Sequence, residues 1–165
     1  MTNIYRGKDE RYASHIPVLT RIVDLSEGHI LELGVGFSTM VLDMMCKLTK
    51  RPIVSYDNDP EWLKQNLKYK SDFHQILFAE DWDNIEINDI HWSVVLIDHR
   101  PALRRKIEAE RLKDNADYII LHDSEPENDK YYKYSDIYPL FKYRFDYTKC
   151  KPFTTVLSNF KKINL

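Results

Sequence analysis

Short apolar segments alternate along this chain with segments whose apolar residues recur at helical spacing. The apolar segments span residues 30–33, 53–56, 75–78, 92–97 and 118–121, and helical patterns span 16–25, 40–48, 59–67 and 101–112. Strand and helix in regular alternation predict right-handed crossovers and a doubly wound, Rossmann-like α/β sheet that is mainly parallel. Two more strand-like segments, 142–147 and 154–159, predict a C-terminal antiparallel hairpin and seven strands in total.

Length and composition indicate one soluble domain. A chain of 165 residues supports a single core, divided here into an N-terminal helical segment, 1–29, and a Rossmann-like core, 30–165. The net charge of −2 provides no basic field for nucleic acid or an anionic membrane. One basic run either forms a local patch or, more commonly, one solvated helix face; it contains Arg100, Arg104, Arg105 and Lys106. No signal-like or membrane-length apolar stretch occurs, so we expect a cytoplasmic protein. Cys46 and Cys150 match neither disulfide nor zinc-site spacing.

The segments that follow the predicted strands are rich in acids and histidines. In such sheets ligands bind outside the carboxyl ends of the strands. The first of these segments reads E-L-G-V-G-F-S-T. Gly34 and Gly36 predict a tight turn whose backbone can approach a ligand closely. An acid at Glu32, near the end of an apolar strand, needs a partner. Ser38 or Thr39 is expected to cap the helix that follows, and Asp59, before Pro60, to cap the next one. The helix amides near Ser38 and Thr39 could face a carboxylate of the ligand.

A second acid, Asp57, follows the second strand 25 residues after Glu32 (57 − 32). An acid at that place can accept hydrogen bonds from both ribose hydroxyls. The dinucleotide fingerprint requires a third glycine, but Thr39 occupies that position. The pattern therefore disfavours a pyrophosphate and favours a ligand with one nucleoside and a charged amino-acid end.

These motifs resemble those of the class I S-adenosylmethionine-dependent methyltransferases, and the resemblance covers essentially the whole chain. Glu32, Gly34 and Gly36 match the E/D-x-G-x-G turn of that family. Further residues match the acids and neighbours that hold the nucleoside. The matches are Asp57 with Asn58 after strand two, and Asp81, with Trp82 available to stack on adenine, after strand three. The resemblance implies S-adenosylmethionine as cofactor and a terminal antiparallel hairpin.

Methyl transfer to a hydroxyl requires in-line positioning and a base. His99 is the first candidate for that base, with Asp98 as its orienting partner or as an alternative base, and His122 lies after strand five. The N-P-P-Y-like tetrapeptide of amino methyltransferases is absent after strand four, which favours oxygen as the accepting atom. Ser14 and His15 precede the first helix and could close over the cofactor.

Some members of the family bind Mg²⁺ through acids after strands four and five. Asp98 and Asp123 resemble two of those ligands, whereas Ser124 stands where the third is common. Hard oxygen ligands would suit Mg²⁺. The alternative is that Asp123 bonds only locally. Four tyrosines after strand five either contact an acceptor or cover the sheet edge; they are Tyr131, Tyr132, Tyr134 and Tyr138.

Three functions remain open from sequence. The first is O-methylation of a small molecule or saccharide by an S-adenosylmethionine-dependent enzyme that binds no nucleic acid. The second is a non-catalytic S-adenosylmethionine-binding module or accessory subunit. The third, a nicotinamide-dependent oxidoreductase, is disfavoured by the missing third glycine and the terminal hairpin. The sequence leaves the oligomeric state open.

Overall fold

A seven-stranded sheet organises the residues that the structure, a computed structural model, describes, 13–165. Its strands are β1 (His29–Leu33), β2 (Ile53–Asp57), β3 (His74–Phe78), β4 (Trp92–Ile97), β5 (Ala116–His122), β6 (Tyr143–Tyr147) and β7 (Thr154–Ser158). The order across the sheet is β3-β2-β1-β4-β5-β7-β6. Strands β1 to β5 are parallel, β7 is antiparallel to β5, and β6 is antiparallel to β7. The predicted fold class and terminal hairpin are confirmed.

Helices cover both faces of the sheet. They are α1 (Ile16–Asp24), α2 (Phe37–Thr49), α3 (Pro60–Asn66), α4 (Arg104–Leu112) and the short α5 (Asp129–Tyr132). One core joins α1 and α2 to the sheet, and a second core lies on the other face beneath α4. Every residue of β4 is buried, as expected for a central parallel strand. None of the described helices is both long and apolar enough to span a membrane.

The starts of three helices test the sequence predictions in detail. Asp59 caps α3 as predicted, because its side chain accepts from the amides of Glu61 and Trp62. The predicted cap of α2 at Ser38 or Thr39 is wrong, since the cap is Gly36 and both hydroxyls bond elsewhere. Helix α4 begins at Arg104, three residues after the predicted start.

The connection between β3 and β4 contains no α-helix within the described residues 79–91. It carries one 3₁₀ turn, Trp82–Asn84, followed by extended chain. Further 3₁₀ turns span Leu67–Tyr69, Pro126–Asn128, Tyr134–Asp136 and Tyr138–Leu140. Apolar residues of the β3–β4 connection, Trp82, Ile85 and Ile87, fill the second core where a helix would otherwise pack. The first twelve residues of the predicted N-terminal segment lie outside the described residues.

A buried arginine holds the opposite end of the sheet together. Arg51 is 8% exposed and donates to the carbonyl oxygens of Val23 at 2.7 Å and Gly28 at 2.9 Å. It also donates to Ser93 Oγ at 2.7 Å. One side chain thus joins the end of α1 to the starts of β1 and β4. The candidate site lies at the opposite end of the sheet, at the carboxyl ends of the strands.

Candidate functional site

The turn after β1 packs directly against the end of β4. Gly34 has φ +102°, and a Cβ atom there would lie 2.7 Å from the carbonyl carbon of Asp98 and from the amide nitrogen of His99. Real Cβ atoms do not make contacts that short, so only glycine fits both the backbone angle and the space. The Asp98 amide donates to the Leu33 carbonyl at 2.7 Å. The turn and the residues after β4 therefore form one surface.

The space beside Gly36 is open, in contrast to the crowded space beside Gly34. No atom lies within 4 Å of the position that its Cβ would occupy. Its amide donates to Thr39 Oγ1 at 2.8 Å, and it caps the N-terminus of α2, where the helix dipole favours negative charge. The space beside Gly36 can therefore admit a ligand close to the backbone.

Glu32 supports this turn from beneath. It is fully buried and accepts from Ser38 Oγ at 2.5 Å, Thr39 Oγ1 at 2.9 Å and Ser55 Oγ at 2.6 Å. Burial raises the pKa of Glu32 to about 7, and the three hydroxyls oppose that rise. Two of these donors belong to the first turn of α2, so the carboxyl group fixes that helix to β1. Its direct contact with a cofactor stays a prediction.

The polar cluster continues away from the turn through the first core. Ser55 Oγ lies 2.8 Å from His74 Nε2, and His74 Nδ1 lies 3.4 Å from Asp43 Oδ1. Lys47 pairs with Asp43 at 2.8 Å. Burial lowers the pKa of His74, although Asp43 opposes this. A chain of hydrogen-bonding groups thus connects Glu32 to the surface, and it satisfies polar groups that burial alone would penalise.

We expect Glu32→Gln to change how stability depends on pH. Since Glu32 has a folded pKa of about 7 and an unfolded value near ~4.3, the folded state keeps a proton that the unfolded state releases. The stability from this proton is complete below pH ~4.3 and is lost as the pH rises to about 7. Wild type should lose about 3 kcal/mol relative to Glu32→Gln across that window. Urea unfolding at several pH values measures this, and a constant difference would contradict it.

Asp57 joins the turns after β1 and β2. Its Oδ2 accepts from the Val35 amide and its Oδ1 from the Asp59 amide, both at 2.7 Å. Burial raises its pKa, while these amides oppose the rise. Each carboxylate oxygen has a second lone pair, so the group can still accept from two ligand hydroxyls. Asn58 follows it at half-buried exposure.

Asp81 and Trp82, the two residues predicted after β3, lie in different surroundings. Asp81 accepts from the Asp83 amide and from Asn84 Nδ2, each at 3.0 Å, and lines a cleft of about 530 Å³. Trp82 is only 5% exposed, and its Nε1 donates to the Arg100 carbonyl. The expectation that Trp82 is available to stack on adenine does not fit this position. Phe78, which sequence reasoning did not single out, is half-exposed and lines the same cleft.

Asp98 and His122 meet at the ends of β4 and β5. His122 Nδ1 lies 3.2 Å from Asp98 Oδ2, and its Nε2 lies 2.9 Å from Ser14 Oγ. Burial would lower the pKa of His122, but the Asp98 carboxylate outweighs it and raises that pKa. Burial would raise the pKa of Asp98, but His122 and Arg105 hold it well below its usual range. The two predicted residues form a charged pair beside Gly34.

His99 does not join this pair. Its side chain points to the other face of the sheet, where its ring packs 4.0 Å from that of Trp82. It is 2% exposed, and neither ring nitrogen has a partner among residues 13–165. Burial, followed by the charge of Arg105, lowers its pKa to about 3. The expectation that His99 is the first candidate base is therefore not supported by its position, because an acceptor cannot reach the ring.

Arg105 clamps the ends of β4 and β5 together, and sequence reasoning missed it. The run containing Arg100, Arg104 and Lys106 suggested a solvated helix face, yet Arg105 is 5% exposed. It donates to the carbonyl of His99 at 2.6 Å. It also pairs with the carboxylates of residues 98 and 123, at 2.9 and 3.0 Å. Burial alone would lower its pKa, but these acids raise it.

Asp123 belongs to the arginine network rather than to a pair with Asp98. Its Oδ2 accepts from Arg105 and from Tyr132 Oη, each at 3.0 Å. The rings of Tyr132 and Tyr134 stack at 5.2 Å, and Tyr134 donates to the His122 carbonyl. These two tyrosines therefore brace the end of β5, as the sheet-covering alternative predicts. Arg105 pairs with both acids expected to bind Mg²⁺, and Asp123 Oδ1 also lies 4.0 Å from His122 Nδ1.

Comparisons with known proteins identify the fold. No protein-family model and no curated protein matches the sequence. Among solved structures, the N-terminal domain of human METTL16 in complex with SAH is 10% identical, with 96% of this chain and 73% of that one covered and a TM-score of 0.64. The METTL16 catalytic domain in complex with the MAT2A 3′UTR hairpin 1 is 9% identical, with 98% and 73% covered and a TM-score of 0.61.

A putative O-methyltransferase from Klebsiella pneumoniae is similar over a comparable length. It is 12% identical, with 96% of this chain and 83% of that one covered and a TM-score of 0.62. Identities this low establish the fold alone. The chain has the Rossmann-like fold of class I S-adenosylmethionine-dependent methyltransferases, as its motifs predicted.

Proposed function

We propose that this chain binds S-adenosylmethionine across the ends of β1 and β2 and transfers its methyl group to a hydroxyl oxygen. The observation that carries the proposal is the open space at Gly36, bordered by the α2 N-terminus, with the Asp57 carboxylate at the next strand end. That arrangement suits a ligand with an amino-acid end and a ribose. The shared fold with methyltransferases supports the same ligand.

The cofactor would lie along the strand ends with each part facing a different residue. Its carboxylate would approach the space beside Gly36, and its ribose hydroxyls would donate to Asp57, with Asn58 adjacent. Its adenine would extend toward the cleft that Phe78 and Asp81 line. The methyl group would then point toward the end of β4, because the turn at residues 34–36 packs on that end.

The chemistry at that end requires positioning and one proton acceptor. The acceptor oxygen attacks the methyl carbon, the new C–O bond forms as the C–S bond breaks, and S-adenosylhomocysteine leaves as a neutral thioether. The hydroxyl proton passes to the Asp98–His122 pair through Asp98, whose side chain is 24% exposed, because His122 itself is buried and His99 packs against Trp82. A histidine beside a carboxylate suits this role once it is deprotonated.

The acceptor class follows from charge and from the missing amino-methyltransferase motif. The chain carries a net charge of −2, whereas RNA binding is dominated by contacts to phosphates from basic residues. We therefore favour a small molecule or a saccharide, although one structural neighbour was solved with an RNA hairpin. A methylation assay with saccharides and with RNA hairpins distinguishes these two acceptor classes.

We expect S-adenosylmethionine and S-adenosylhomocysteine to bind at one molecule per chain in calorimetric titration, and NAD not to bind. Asp57→Ala should weaken both by about 100-fold or more, because two charge-assisted hydrogen bonds are each worth about 1.5–3 kcal/mol. Asp72→Ala, an exposed acid before β3, is the matched control and should bind normally. NAD binding, or unchanged affinity in Asp57→Ala, would contradict the proposal.

A cofactor-binding module without catalysis is the second candidate. The burial of His99 favours it, because it removes one of the predicted bases from the site. The two candidates differ in turnover: the enzyme forms S-adenosylhomocysteine with some hydroxyl acceptor, and His122→Gln lowers that rate without changing cofactor affinity. If the chain is only a binding module, wild type and His122→Gln will form S-adenosylhomocysteine at the same background rate.

A further inference from the structure

Three side chains from distant parts of the chain converge beside the end of β4. His15 precedes α1, Asp98 follows β4 and His122 ends β5. One ligating atom of each residue lies within 4.8 Å of the others. Because two ligand atoms ~2.0–2.2 Å from the same transition ion lie at most about 4.4 Å apart, small side-chain movements would bring all three atoms onto one ion.

His15 has a buried ring with no hydrogen-bond partner among the described residues. It is 1% exposed, and both of its ring nitrogens lack a hydrogen-bond partner among the described residues. Its ring meets that of His122 edge-on at 4.5 Å. Leaving a buried polar atom without a hydrogen-bond partner destabilises the folded state. A ligand in the space between His15, Asp98 and His122 would satisfy one of these nitrogens.

The hydrogen bonds of Ser14 orient His122 for the same role. Ser14 Oγ donates to the Pro152 carbonyl at 2.8 Å, so it accepts the proton on His122 Nε2 at 2.9 Å. The lone pair of Nδ1 then faces Asp98 Oδ2 at 3.2 Å, and either a proton or a cation must lie between them. Two ligands at ~2.1 Å from one ion are about 3.0–3.4 Å apart.

The charges leave one oxygen of Asp98 available. Arg105 binds Asp98 Oδ1 at 2.9 Å but shares its charge with Asp123. Arg105, Asp98 and Asp123 together carry a net charge of −1, which favours a divalent cation. The Asp98 side chain is 24% exposed, so an ion can enter from that side and keep open coordination positions for water or an acceptor.

We propose that His15, Asp98 and His122 form a binding site for a divalent first-row transition ion. Two imidazoles and one carboxylate suit Zn²⁺, Co²⁺ or Fe²⁺, whereas Mg²⁺ prefers oxygen ligands. The site differs from the Mg²⁺ pair that the sequence predicted, and it does not depend on the proposed methyl transfer. If that transfer occurs with the ion bound, Asp98 and His122 would act as its ligands in place of accepting the proton, and the ion would polarise an acceptor hydroxyl beside Gly34.

The test is metal binding by tag-free, EDTA-stripped protein in the absence of S-adenosylmethionine. We expect Zn²⁺ to bind at one ion per chain by calorimetry, and Co²⁺ to give visible absorption bands that Zn²⁺ displaces. His15→Phe keeps a packed ring without nitrogen ligands, and it should lower Zn²⁺ affinity by about 100-fold. His91→Ala is the matched control, since His91 lies on the surface paired with Asp117.

Circular dichroism melting of each variant verifies that it folds. If His15→Phe unfolds, His122→Gln provides the same comparison. Absence of stoichiometric Zn²⁺ binding would overturn the proposal, as would affinity that His91→Ala lowers as much as His15→Phe does. Mg²⁺ competing equally with Zn²⁺ would overturn the assignment to a transition ion. None of these outcomes bears on S-adenosylmethionine binding, which is measured separately.

Discussion

Gly34→Ala is expected to lower the free energy of unfolding by about 3–5 kcal/mol. The new Cβ would lie 2.7 Å from backbone atoms of Asp98 and His99, and neither atom can move without disturbing β4. The backbone angle of +102° adds strain that any L side chain suffers. Urea unfolding followed by circular dichroism measures the change.

Two other glycines serve as controls for this substitution. Gly28 also has a positive φ, +108°, but a Cβ there makes only an ordinary contact, 3.6 Å from Ser93 Cβ. Gly28→Ala should therefore cost about 1–2 kcal/mol from strain alone. Gly36→Ala meets no atom within 4 Å and should leave the fold intact while weakening the binding of S-adenosylhomocysteine. Equal destabilisation by Gly34→Ala and Gly28→Ala would contradict the close-contact argument.

Arg105→Met is expected to destabilise the protein by about 2–4 kcal/mol. The arginine is buried, and its loss would leave two carboxylates and the carbonyls at the ends of β4 and β5 without their donor. The value lies below that of a fully buried pair because the Asp98 and Asp123 side chains are 24% and 22% exposed, and solvent screens them.

Lys106→Ala provides the comparison with a surface ion pair. Lys106 pairs with Asp136 at 2.6 Å, but Asp136 is 54% exposed, so the loss should stay within about 1 kcal/mol. Arg105→Lys should recover only part of the stability, because an ammonium cannot reproduce the forked contacts of a guanidinium. If Arg105→Met and Lys106→Ala were equally stable, the clamp between the strand ends would be disproved.

The sequence predicts the fold class and the tight turn after β1 because both depend on local patterns. Strand β4 is apolar at nearly every position, which indicates a central strand covered on both faces. The pair Gly34 and Gly36 stands out in a chain with four glycines. Asp59 follows a strand and precedes Pro60, which is typical of a helix N-terminus. Each of these features depends on residues that lie close together in the sequence.

The two expectations that the structure does not support concern the face of the sheet on which a loop side chain packs. Trp82 and His99 both follow predicted strands, so both were expected to face the ligand. They pack against each other instead, because the β3–β4 connection has no α-helix and its own aromatic residue fills the core. Arg105 stands in a run of basic residues, and the sequence does not show which of them the helix turns inward.

The convergence of His15, Asp98 and His122 depends on long-range packing. Their spacing in sequence matches no metal-binding motif, and the sequence predicted only that His15 could close over the cofactor. The placement of α1 against the ends of β4 and β5 brings them together. No local pattern encodes such a contact.

The most direct test of the central claim is the position of S-adenosylhomocysteine on the chain. Amide resonances of ¹⁵N-labelled protein should be followed as the ligand is added to saturation. The account predicts shifts at Val35, Gly36 and Asp59, which line the turns after β1 and β2, and no shift at His91 at the other end of the sheet. Shifts confined to other regions, or none under saturating ligand, would contradict binding at this turn.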